Sequence, residues 1–578
     1  MSVVKRLLAA SLFVASNVAV AQLGPSDSDP PSGWAPQQVV HAPHYMVAAA
    51  NPLAAQAGVR MLEQGGNAID AMIATQLVLN LVEPSSSGLG GGAFLLYWDA
   101  KARRIEAIDA RETAPAGATP DQFLQPDGRP MPFLAARVGG RSVGTPGTPR
   151  LLEAAYARHG KLAWKKLFEP AIEVAEKGFP MSPRLHKLIG EDKGLAGEPA
   201  ARAYFFDEHG EPRAVGTIMR NPQFAATLRA IAGNGVDAFY TGEIARDMVA
   251  AVHAHPNPGT LSMEDLAGYR VRTVEALCGT YRAWKLCGMP PSSSGGIAVL
   301  QILGELERFD VAKLRPVSAE AVHLVSEAER LAFADRDKWV ADDRFVDVPV
   351  QGLVDSAYVR SRSALISADH AMGTAPAGEP PGAKVAYADD TMEEIPGTTQ
   401  IVIVDRDGNA VSMTTTIESF FGSRIMVHGF LLNNEITDFN FSPVEQGAPV
   451  ANRVAPGKRP RSSMAPFLVF DRKGDLYMAI GSPGGSLIIG YVAKALLAIL
   501  DWRLDVQQAI DLPNFDSRNG PTEIERGTEL EALVPALKAM GHTVSVIDMT
   551  SGVQGIRRVA GGLEGGADPR REGIAAGR

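Results

Sequence analysis

The stretch Pro396-Gly397-Thr398-Thr399-Gln400-Ile401-Val402-Ile403-Val404 decides the fold, together with the run that follows it, Ala410-Val411-Ser412-Met413-Thr414-Thr415-Thr416-Ile417. Both runs are rich in β-branched residues. They are joined by Asp405-Arg406-Asp407-Gly408-Asn409, and turn-forming residues between two such runs are a strong hairpin signal. The pattern predicts two antiparallel strands, with Thr398 at the start of the first.

The segment before this hairpin, residues 371–397, differs in composition from its surroundings. It is rich in Pro, Gly, Ala and acids, including Asp389-Asp390 and Glu393-Glu394. This composition is typical of a mobile, solvated connector. Thr398 therefore follows a predicted connector directly and begins a predicted strand.

Helical patterns dominate the chain upstream of the connector. Residues 51–64 have the apolar spacing of an amphipathic helix that ends at Gly65-Gly66, and a second apolar helix is predicted over residues 68–82. A glycine cluster at residues 88–92 then precedes strand-like residues 93–98. Phosphate binding by this cluster is disfavoured, because the cluster lies between a helix and a strand and carries no Gly-Lys-Ser/Thr. Residues 148–366 are mainly helical in pattern.

Composition and charge narrow the class of function. The chain has 578 residues, of which 46% are hydrophobic and 21% charged, as in an ordinary globular protein. A net charge of −9 argues against a nucleic-acid partner, which would select a basic surface, and favours a small-molecule or peptide substrate. We expect no cofactor and no metal, since the pairs His41/His44 and His253/His255 lack further ligands at supportive spacing.

The first 21 residues have the pattern of a cleaved secretory signal. Lys5 and Arg6 precede the apolar run of residues 7–15, and Ala19-Val20-Ala21 offers small residues at a cleavage site. An N-terminal membrane anchor is the alternative, although the apolar run is shorter than the roughly 20 residues that span a bilayer. The expectation is a periplasmic or secreted protein with no membrane span after signal removal.

The chain contains two cysteines, Cys278 and Cys287. Turn-forming residues between them would allow a hairpin that brings the two sulfurs together, and an exported protein meets oxidising conditions. A local disulfide is therefore possible. Two free, inert thiols are the alternative, because no His/Asp set in the sequence pairs with either cysteine.

The position of Thr398 matters because of the chemistry of an N-terminal threonine. A threonine hydroxyl is a weak nucleophile, whereas an N-terminal threonine carries its own base, the α-amine, with a pKa of about 7.7–8.0. The chain would first have to be cut between Gly397 and Thr398. A Thr-Thr pair after a loop is weak evidence for this by itself, since most such pairs are ordinary strand residues.

The surrounding motifs strengthen the hypothesis, because in order and spacing they resemble the small subunit of the gamma-glutamyltransferases. Downstream the matching segments are residues 396–399, 404–411, 431–439, 458–466 and 481–485. Upstream they are residues 65–71, 88–92, 111–115, 144–147, 289–296 and 567–573. The resemblance covers nearly the whole chain beyond the signal segment.

The resemblance implies an α/β (α+β) protein with the four-layer αββα sandwich of the N-terminal-nucleophile hydrolases. It implies one precursor that cuts itself between Gly397 and Thr398 and then forms a heterodimer. Residues 22–397 would be the large subunit, with the connector 371–397 at its end, and residues 398–578 the small catalytic subunit. The implied activity is cleavage of gamma-glutamyl bonds in glutathione and its conjugates, with water, an amino acid or a dipeptide as acceptor.

The resemblance also implies roles for individual residues. Thr398 would be the autoprocessing residue and the nucleophile, Thr416 would support its new amine, and Gly484 and Gly485 would form the oxyanion hole. The residues implied for the substrate α-carboxylate are Arg111, Ser462 and Ser463, and those for the α-ammonium are Glu435 and Asp438.

Two departures from the family pattern keep alternatives open. Glu418 stands where many members have Asn, so a third carboxylate could tighten the ammonium pocket or fit it to another acyl group. Residues 438–459 form a short segment without tyrosine where some members carry a long lid. A glutaryl-cephalosporin-type acylase of the same fold is therefore the enzymatic alternative, and a non-catalytic exported binding protein is the alternative of a different class.

Overall fold

The computed structural model describes residues 34–385, 387–390, 392 and 394–578. The signal segment predicted at residues 1–21 lies outside the described residues. The strands, in chain order, are β1 (Val40–Ala42), β2 (Met46–Ala49), β3 (Gly92–Asp99), β4 (Arg104–Ala110), β5 (Phe179–Pro180), β6 (Ile218–Met219), β7 (Arg272–Val274), β8 (Leu277–Tyr281), β9 (Trp284–Gly288), β10 (Thr398–Val404), β11 (Ala410–Thr416), β12 (Met426–Val427), β13 (Phe430–Leu431), β14 (Val444–Glu445), β15 (Ala448–Pro449), β16 (Phe467–Phe470), β17 (Leu476–Gly481), β18 (Phe515–Asp516), β19 (Thr522–Glu525), β20 (Val544–Ile547), β21 (Gln554–Val559), β22 (Gly562–Ala567) and β23 (Ile574–Gly577).

The α-helices are α1 (Pro52–Glu63), α2 (Ala68–Val82), α3 (Phe133–Arg137), α4 (Thr148–His159), α5 (Glu169–Lys177), α6 (Pro183–Glu191), α7 (Pro199–Phe205), α8 (Pro222–Asn234), α9 (Asp237–Tyr240), α10 (Glu243–Ala254), α11 (Met263–Gly268), α12 (Gly295–Leu306), α13 (Ala319–Trp339), α14 (Val350–Leu353), α15 (Ser356–Ser363), α16 (Ile488–Leu500), α17 (Val506–Asp511) and α18 (Val534–Ala539). Among the described residues, none of these helices has both the length and the apolar character needed to cross a bilayer.

Two seven-stranded sheets form the centre of the molecule. The Thr398 sheet has the order β23-β2-β10-β11-β3-β4-β7, and the second sheet has the order β1-β22-β21-β17-β16-β9-β8. Strands β10 and β11 pack across the interface on β17, and β2 packs on β21 and β22. The predicted hairpin is present, and β10 and β11 occupy the middle of their sheet.

Alternation along β10 divides the core into two halves. Ile401 and Ile403 pack with the apolar residues of α1 and α2, whereas Val402 and Val404 join the apolar core of the second sheet. Successive side chains of a strand point to opposite faces. Because β10 has apolar residues on both faces, both faces must be covered. Helices α12, α13 and α16 pack on the far side of the second sheet. The expected αββα sandwich is confirmed.

Helix α2 shows how the sequence fixes one of the outer layers. Its side chains are buried along its whole length, from Ala68 to Val82, which are the predicted bounds. Asn67 and Asp70 form a capping box: the Asn67 side chain accepts the backbone N–H of Asp70, and the Asp70 side chain accepts that of Asn67. The cap fixes where the helix begins, and the helix packs directly on β10.

The connector departs from expectation. Among its described residues, 371–397 contain no helix and no named strand, but Asp390 and Glu394 are buried. Asp390 accepts hydrogen bonds from Asn440 and Asn452, and Glu394 pairs with Arg336. The expectation of a solvated segment is wrong for these two acids, because buried polar partners replace the water they would lose.

Candidate active site

Thr398 is held at the start of β10 by the strand ladder. It lies directly opposite Thr416, the last residue of β11, and is 5% exposed. Its hydroxyl donates to the Thr416 hydroxyl at 3.2 Å, and the Thr416 hydroxyl lies 3.3 Å from the Gly397 carbonyl oxygen. The backbone N–H of Glu418 donates to the same Thr416 Oγ1 at 2.8 Å. Thr416 thus connects the hydroxyl of Thr398 with the carbonyl of the preceding residue.

The backbone just before Thr398 leaves no space for a side chain at position 397. A Cβ at position 397 would collide with the backbone of Glu418 and Ser419. A glycine is therefore required here because of close backbone approach rather than because of an unusual φ. The sequence observation that a small residue precedes Thr398 has this steric basis.

Gly484 and Gly485 form a turn immediately before α16. Their φ angles are +141° and +59°, in the region that favours glycine. The turn leads through a short 3₁₀ segment into α16, so its amides belong to the positive end of that helix. Ser486 N donates to the Glu394 carbonyl at 3.2 Å, and a Cβ on Gly485 would meet the backbone of residues 394–396. The predicted oxyanion turn therefore packs against the chain just before the Gly397–Thr398 bond.

Arg111 is the centre of a buried group of charges. Its guanidinium forms ion pairs with Glu435 and Asp438, and it also donates to the Pro460 and Arg461 carbonyls at 3.3 and 2.9 Å. Glu435 and Asp438 lie at the two ends of one short 3₁₀ helix, which brings both carboxylates to one guanidinium. The structure therefore brings these three predicted binding residues together.

Burial raises the pKa values of the acids in this group. Desolvation, opposed by Arg111, raises the pKa of Asp438 to about 6 and that of Glu112 to about 7. Desolvation also raises the pKa of Glu435 well above its ordinary value, and Glu112, Asp438 and Glu418 add to the effect. Three carboxyl groups, those of Glu112, Glu435 and Asp438, act on one buried arginine and leave an excess of potential negative charge, which suits a ligand that brings a cation.

Glu418 belongs to the same group of acids. Its Oε2 accepts from Ser419 N at 2.5 Å and from the Asn434 side chain, while its buried Oε1 has no hydrogen-bond partner among the described residues. Burial and the neighbouring Asp438 raise its pKa well above the ordinary value. Its backbone has φ +74°, a conformation that costs a non-glycine residue about 1–3 kcal/mol. The residue that departs from the family pattern is thus fixed at the site by its backbone and by one oxygen.

Ser462 and Ser463 lie on the other side of the connector. Ser463 N donates to Glu394 Oε2 at 2.7 Å, and Arg336 donates to Ser463 Oγ at 2.8 Å while pairing with Glu394. Ser462 lies beside them, and its N–H donates to the Ser292 carbonyl at 3.1 Å. A carboxylate of the connector therefore occupies the N–H of Ser463, one of the residues that the resemblance assigned to a substrate carboxylate.

Three residues of the site were not predicted from the sequence. Glu112 follows Arg111 in a quoted motif, so its position was visible but its burial was not. Arg336 and Glu394 gave no sequence signal, because their pairing depends on contact between α13 and the connector. The cysteines lie elsewhere, opposite each other on β8 and β9, where Cys278 and Cys287 are joined in a disulfide.

One of the two histidine pairs in the sequence is held by other partners. His253 contacts the Leu261 carbonyl, and His255 pairs with Glu198. In the other pair, His41 lies on β1 and His44 lies two residues after it. Among the described residues, the arrangement that could hold a metal ion comprises instead His323, Glu327 and His542.

A threonine at the start of a central strand of an αββα sandwich, with a glycine turn nearby, is the arrangement of the N-terminal-nucleophile hydrolases. The model of the gamma-glutamyltranspeptidase family matches residues 54–578. The chain belongs to this family.

Relatives and solved structures agree with this assignment. The chain is 37% identical over 544 residues to the glutathione hydrolase proenzyme of Bacillus subtilis (strain 168), covering 92% of this chain and 91% of that protein. It is 35% identical over 588 residues to the glutathione hydrolase proenzyme of Escherichia coli (strain K12), covering 98% and 97%. The crystal structure of cephalosporin acylase from Bacillus halodurans superposes with a TM-score of 0.82 at 28% identity, covering 94% of this chain and 97% of that one.

Proposed function

We propose that this chain is the precursor of a gamma-glutamyl hydrolase and transferase that cuts itself between Gly397 and Thr398. The observation that carries the proposal is the contact chain from the Thr398 hydroxyl through Thr416 to the Gly397 carbonyl. The family and its proenzyme relatives support the same reaction. The substrates are glutathione and its conjugates, and the acyl acceptor is water, an amino acid or a dipeptide.

Self-cleavage begins with attack of Thr398 Oγ1 on the carbonyl carbon of Gly397. The hydroxyl proton passes to Thr416, whose own hydroxyl proton is shared with the carbonyl oxygen as negative charge develops on it. Collapse of the tetrahedral intermediate breaks the C–N bond as the proton shared with the carbonyl oxygen passes to the leaving nitrogen, and an ester joins residue 397 to the threonine oxygen. Water then hydrolyses the ester and leaves a carboxyl group on Gly397 and a free α-amine on Thr398.

Turnover uses the same oxygen with a new base. The α-amine accepts the Thr398 hydroxyl proton as Oγ1 attacks the gamma-carbonyl of the substrate, and the amides of the Gly484–Gly485 turn stabilise the oxyanion. The protonated amine then gives its proton to the departing nitrogen. Water or an acceptor amine attacks the gamma-glutamyl ester and regenerates the hydroxyl.

Substrate capture requires the connector to leave the site. Ser463 N and the turn at Gly485 are both occupied by residues 394–396 in the uncut chain. Once the chain is cut, release of residues 394–396 frees Ser463 N, beside Ser462, for the α-carboxylate of the substrate, and it frees the Gly484–Gly485 turn for the oxyanion. Arg111 completes the carboxylate site, and Glu435 and Asp438 hold the α-ammonium.

Residues 22–397 and 398–578 are then the large and small subunits of a heterodimer. Their shared core favours continued association, because each of the two central sheets contains strands from both sides of the cut. The signal pattern at residues 1–21 supports a periplasmic or secreted location. The disulfide between Cys278 and Cys287 is in keeping with that location.

A glutaryl-type acylase is the second candidate, favoured by the similarity to a cephalosporin acylase structure. A glutaryl group keeps the distal carboxylate but lacks the ammonium. The excess of acids at the site therefore disfavours binding of a glutaryl substrate. Comparing kcat/KM for a gamma-glutamyl anilide and a glutaryl anilide separates the two functions. N-terminal sequencing of the same preparation tests the cut, with a new chain expected to start at Thr398.

A further inference from the structure

Three buried side chains outside the active site converge from distant parts of the chain. His323 and Glu327 are one turn apart on α13, and His542 precedes β20. One ligand atom from each lies within 4.8 Å of the others, and the three residues are 0%, 0% and 4% exposed. Histidine nitrogen and carboxylate oxygen are ligands of Zn²⁺ in proteins.

The two imidazoles face each other with their outer nitrogens already oriented. His323 Nε2 lies 3.0 Å from the Ser367 carbonyl, which can only accept, so this nitrogen carries the proton and Nδ1 presents a lone pair. His323 Nδ1 lies 2.7 Å from His542 Nε2. A histidine whose second nitrogen donates to a backbone carbonyl has the usual arrangement of a metal ligand.

His542 has a matching partner on its far side. Its Nδ1 lies 2.8 Å from Thr522 Oγ1, which also accepts from Arg330 Nη2 at 3.0 Å. When His542 Nδ1 donates to this hydroxyl, Nε2 is free to ligate. When Nε2 instead donates to His323, the hydroxyl donates to Nδ1. The same contacts therefore support either a metal-binding tautomer or a hydrogen-bonded pair.

Glu327 offers a third candidate ligand. Its Oε1 accepts from Arg330 Nε at 2.9 Å and its Oε2 from Met372 N at 2.7 Å. Each oxygen keeps a further lone pair, and the two bonds hold the carboxylate in place beside the imidazoles. The arginine and the backbone amide are thus in the position of supporting groups around a ligand.

We propose that His323, Glu327 and His542 bind one Zn²⁺ ion, with water at the fourth position. Two nitrogens bound at 2.0–2.1 Å to a tetrahedral ion lie about 3.3 Å apart, so the imidazoles must separate by about 0.6 Å from their present 2.7 Å contact. This movement is small. His542 lies in the loop between α18 and β20, and His323 lies in the second turn of α13. The ion replaces the single hydrogen bond between them.

Such a site would connect the two subunits. His323 and Glu327 precede the bond proposed to be cut, whereas His542 follows it, 219 residues along the chain from His323. After cleavage the ion would therefore stabilise the association of two separate polypeptides. This consequence rests on the proposed cleavage, but zinc binding itself does not.

The test measures zinc in the purified full chain, prepared without a polyhistidine tag. After incubation with ZnCl₂ and dialysis, mass spectrometry of the metal should give about one Zn²⁺ per chain in the wild type and less than a tenth of that in His542→Ala. Glu327→Gln keeps the side-chain shape and should lower zinc retention at least several-fold. His428→Ala, which removes a partly exposed histidine paired with Asp247, is the matched control and should keep full zinc content.

Thermal unfolding provides a second readout on the same samples. Chelator should lower the Tm of the wild type by several degrees, excess ZnCl₂ should restore it, and neither should move the Tm of a folded His542→Ala. The proposal is wrong if wild-type protein retains no more zinc than His542→Ala and its Tm is unchanged by both chelator and zinc. The cluster is then a hydrogen-bonded histidine pair. The wild-type measurements decide this even where His542→Ala does not fold.

Discussion

The two sides of the Gly397–Thr398 bond are built differently. On the Thr398 side, β10 pairs along its length with β11 and in its second half with β2, and every residue is buried. On the Gly397 side, the chain is held by side-chain contacts of Asp390 and Glu394 and by the packing of residues 394–396 on the glycine turn. The paired strand β10 is thus joined to a connector that belongs to neither central sheet. One of the contacts that hold the connector, from Ser463 N to Glu394, involves a residue proposed to bind the substrate.

The largest expected effect comes from removing the hydroxyl on the Thr398 side. Thr398→Ala should leave one uncut chain and lower gamma-glutamyl turnover to background, a loss of at least about 10⁴-fold, because both steps use the same oxygen. A denaturing gel and an anilide assay measure the two effects. Thr398→Ser, which keeps a hydroxyl, should still yield two fragments. A second band starting at residue 398 in the alanine variant would show that another group cuts the chain.

Arg111→Ala should separate processing from binding. Arg111 contacts acids rather than the Gly397–Thr398 bond, so the variant should mature normally. Removing one partner of a buried charged pair costs about 2–5 kcal/mol, so KM for the gamma-glutamyl donor should rise about 30-fold or more. Arg60→Ala, which removes a half-exposed ion pair with Glu173, is the control and should leave KM unchanged. A failure of Arg111→Ala to process would place Arg111 in the cleavage step instead.

The sequence predicted the structure after the Gly397–Thr398 bond well and that of the connector before it poorly. The hairpin β10–β11 and helix α2 were predicted because hydrophobic runs, turn residues and caps are local signals. The resemblance supplied the layer order and most site residues. The burial of Asp390 and Glu394 could not be predicted, since an acidic, Pro- and Gly-rich segment has the same composition whether or not distant arginines pair with its acids. The meeting of His323 with His542 was hidden for the same reason.

The acids around Arg111 should make donor selection depend on pH. The pKa of Asp438 is about 6 and that of Glu112 about 7, both raised by burial, so these groups take up protons as pH falls from 8 to 5. Binding of an ammonium favours their ionised forms. The ratio of kcat/KM for a gamma-glutamyl anilide to that for a glutaryl anilide should therefore fall about tenfold over this range. Titration of the Thr398 amine affects both donors and cancels in the ratio.

Asp438→Asn tests the assignment of this pH dependence. The variant should lower the ratio at pH 8 and flatten its dependence below pH 7, because the amide carries no titrating charge. An unchanged profile in Asp438→Asn, or a ratio that rises as pH falls, would contradict ammonium recognition by these acids.

The smallest expected effect concerns the connector, residues 371–397. Glu394→Gln in the uncut Thr398→Ala chain should speed proteolysis within residues 371–397 about 3- to 10-fold, because an amide loses the ion pair with Arg336 that holds the segment. Glu379→Gln changes an exposed acid of the same segment and should not alter the rate. In a chain that retains Thr398, the same Glu394→Gln change should leave kcat and KM of the matured enzyme near wild type, since Glu394 has then left the site. Equal proteolysis of the two glutamine variants, or a raised KM in the matured enzyme, would mean that Glu394 does not act as the anchor of a departing segment.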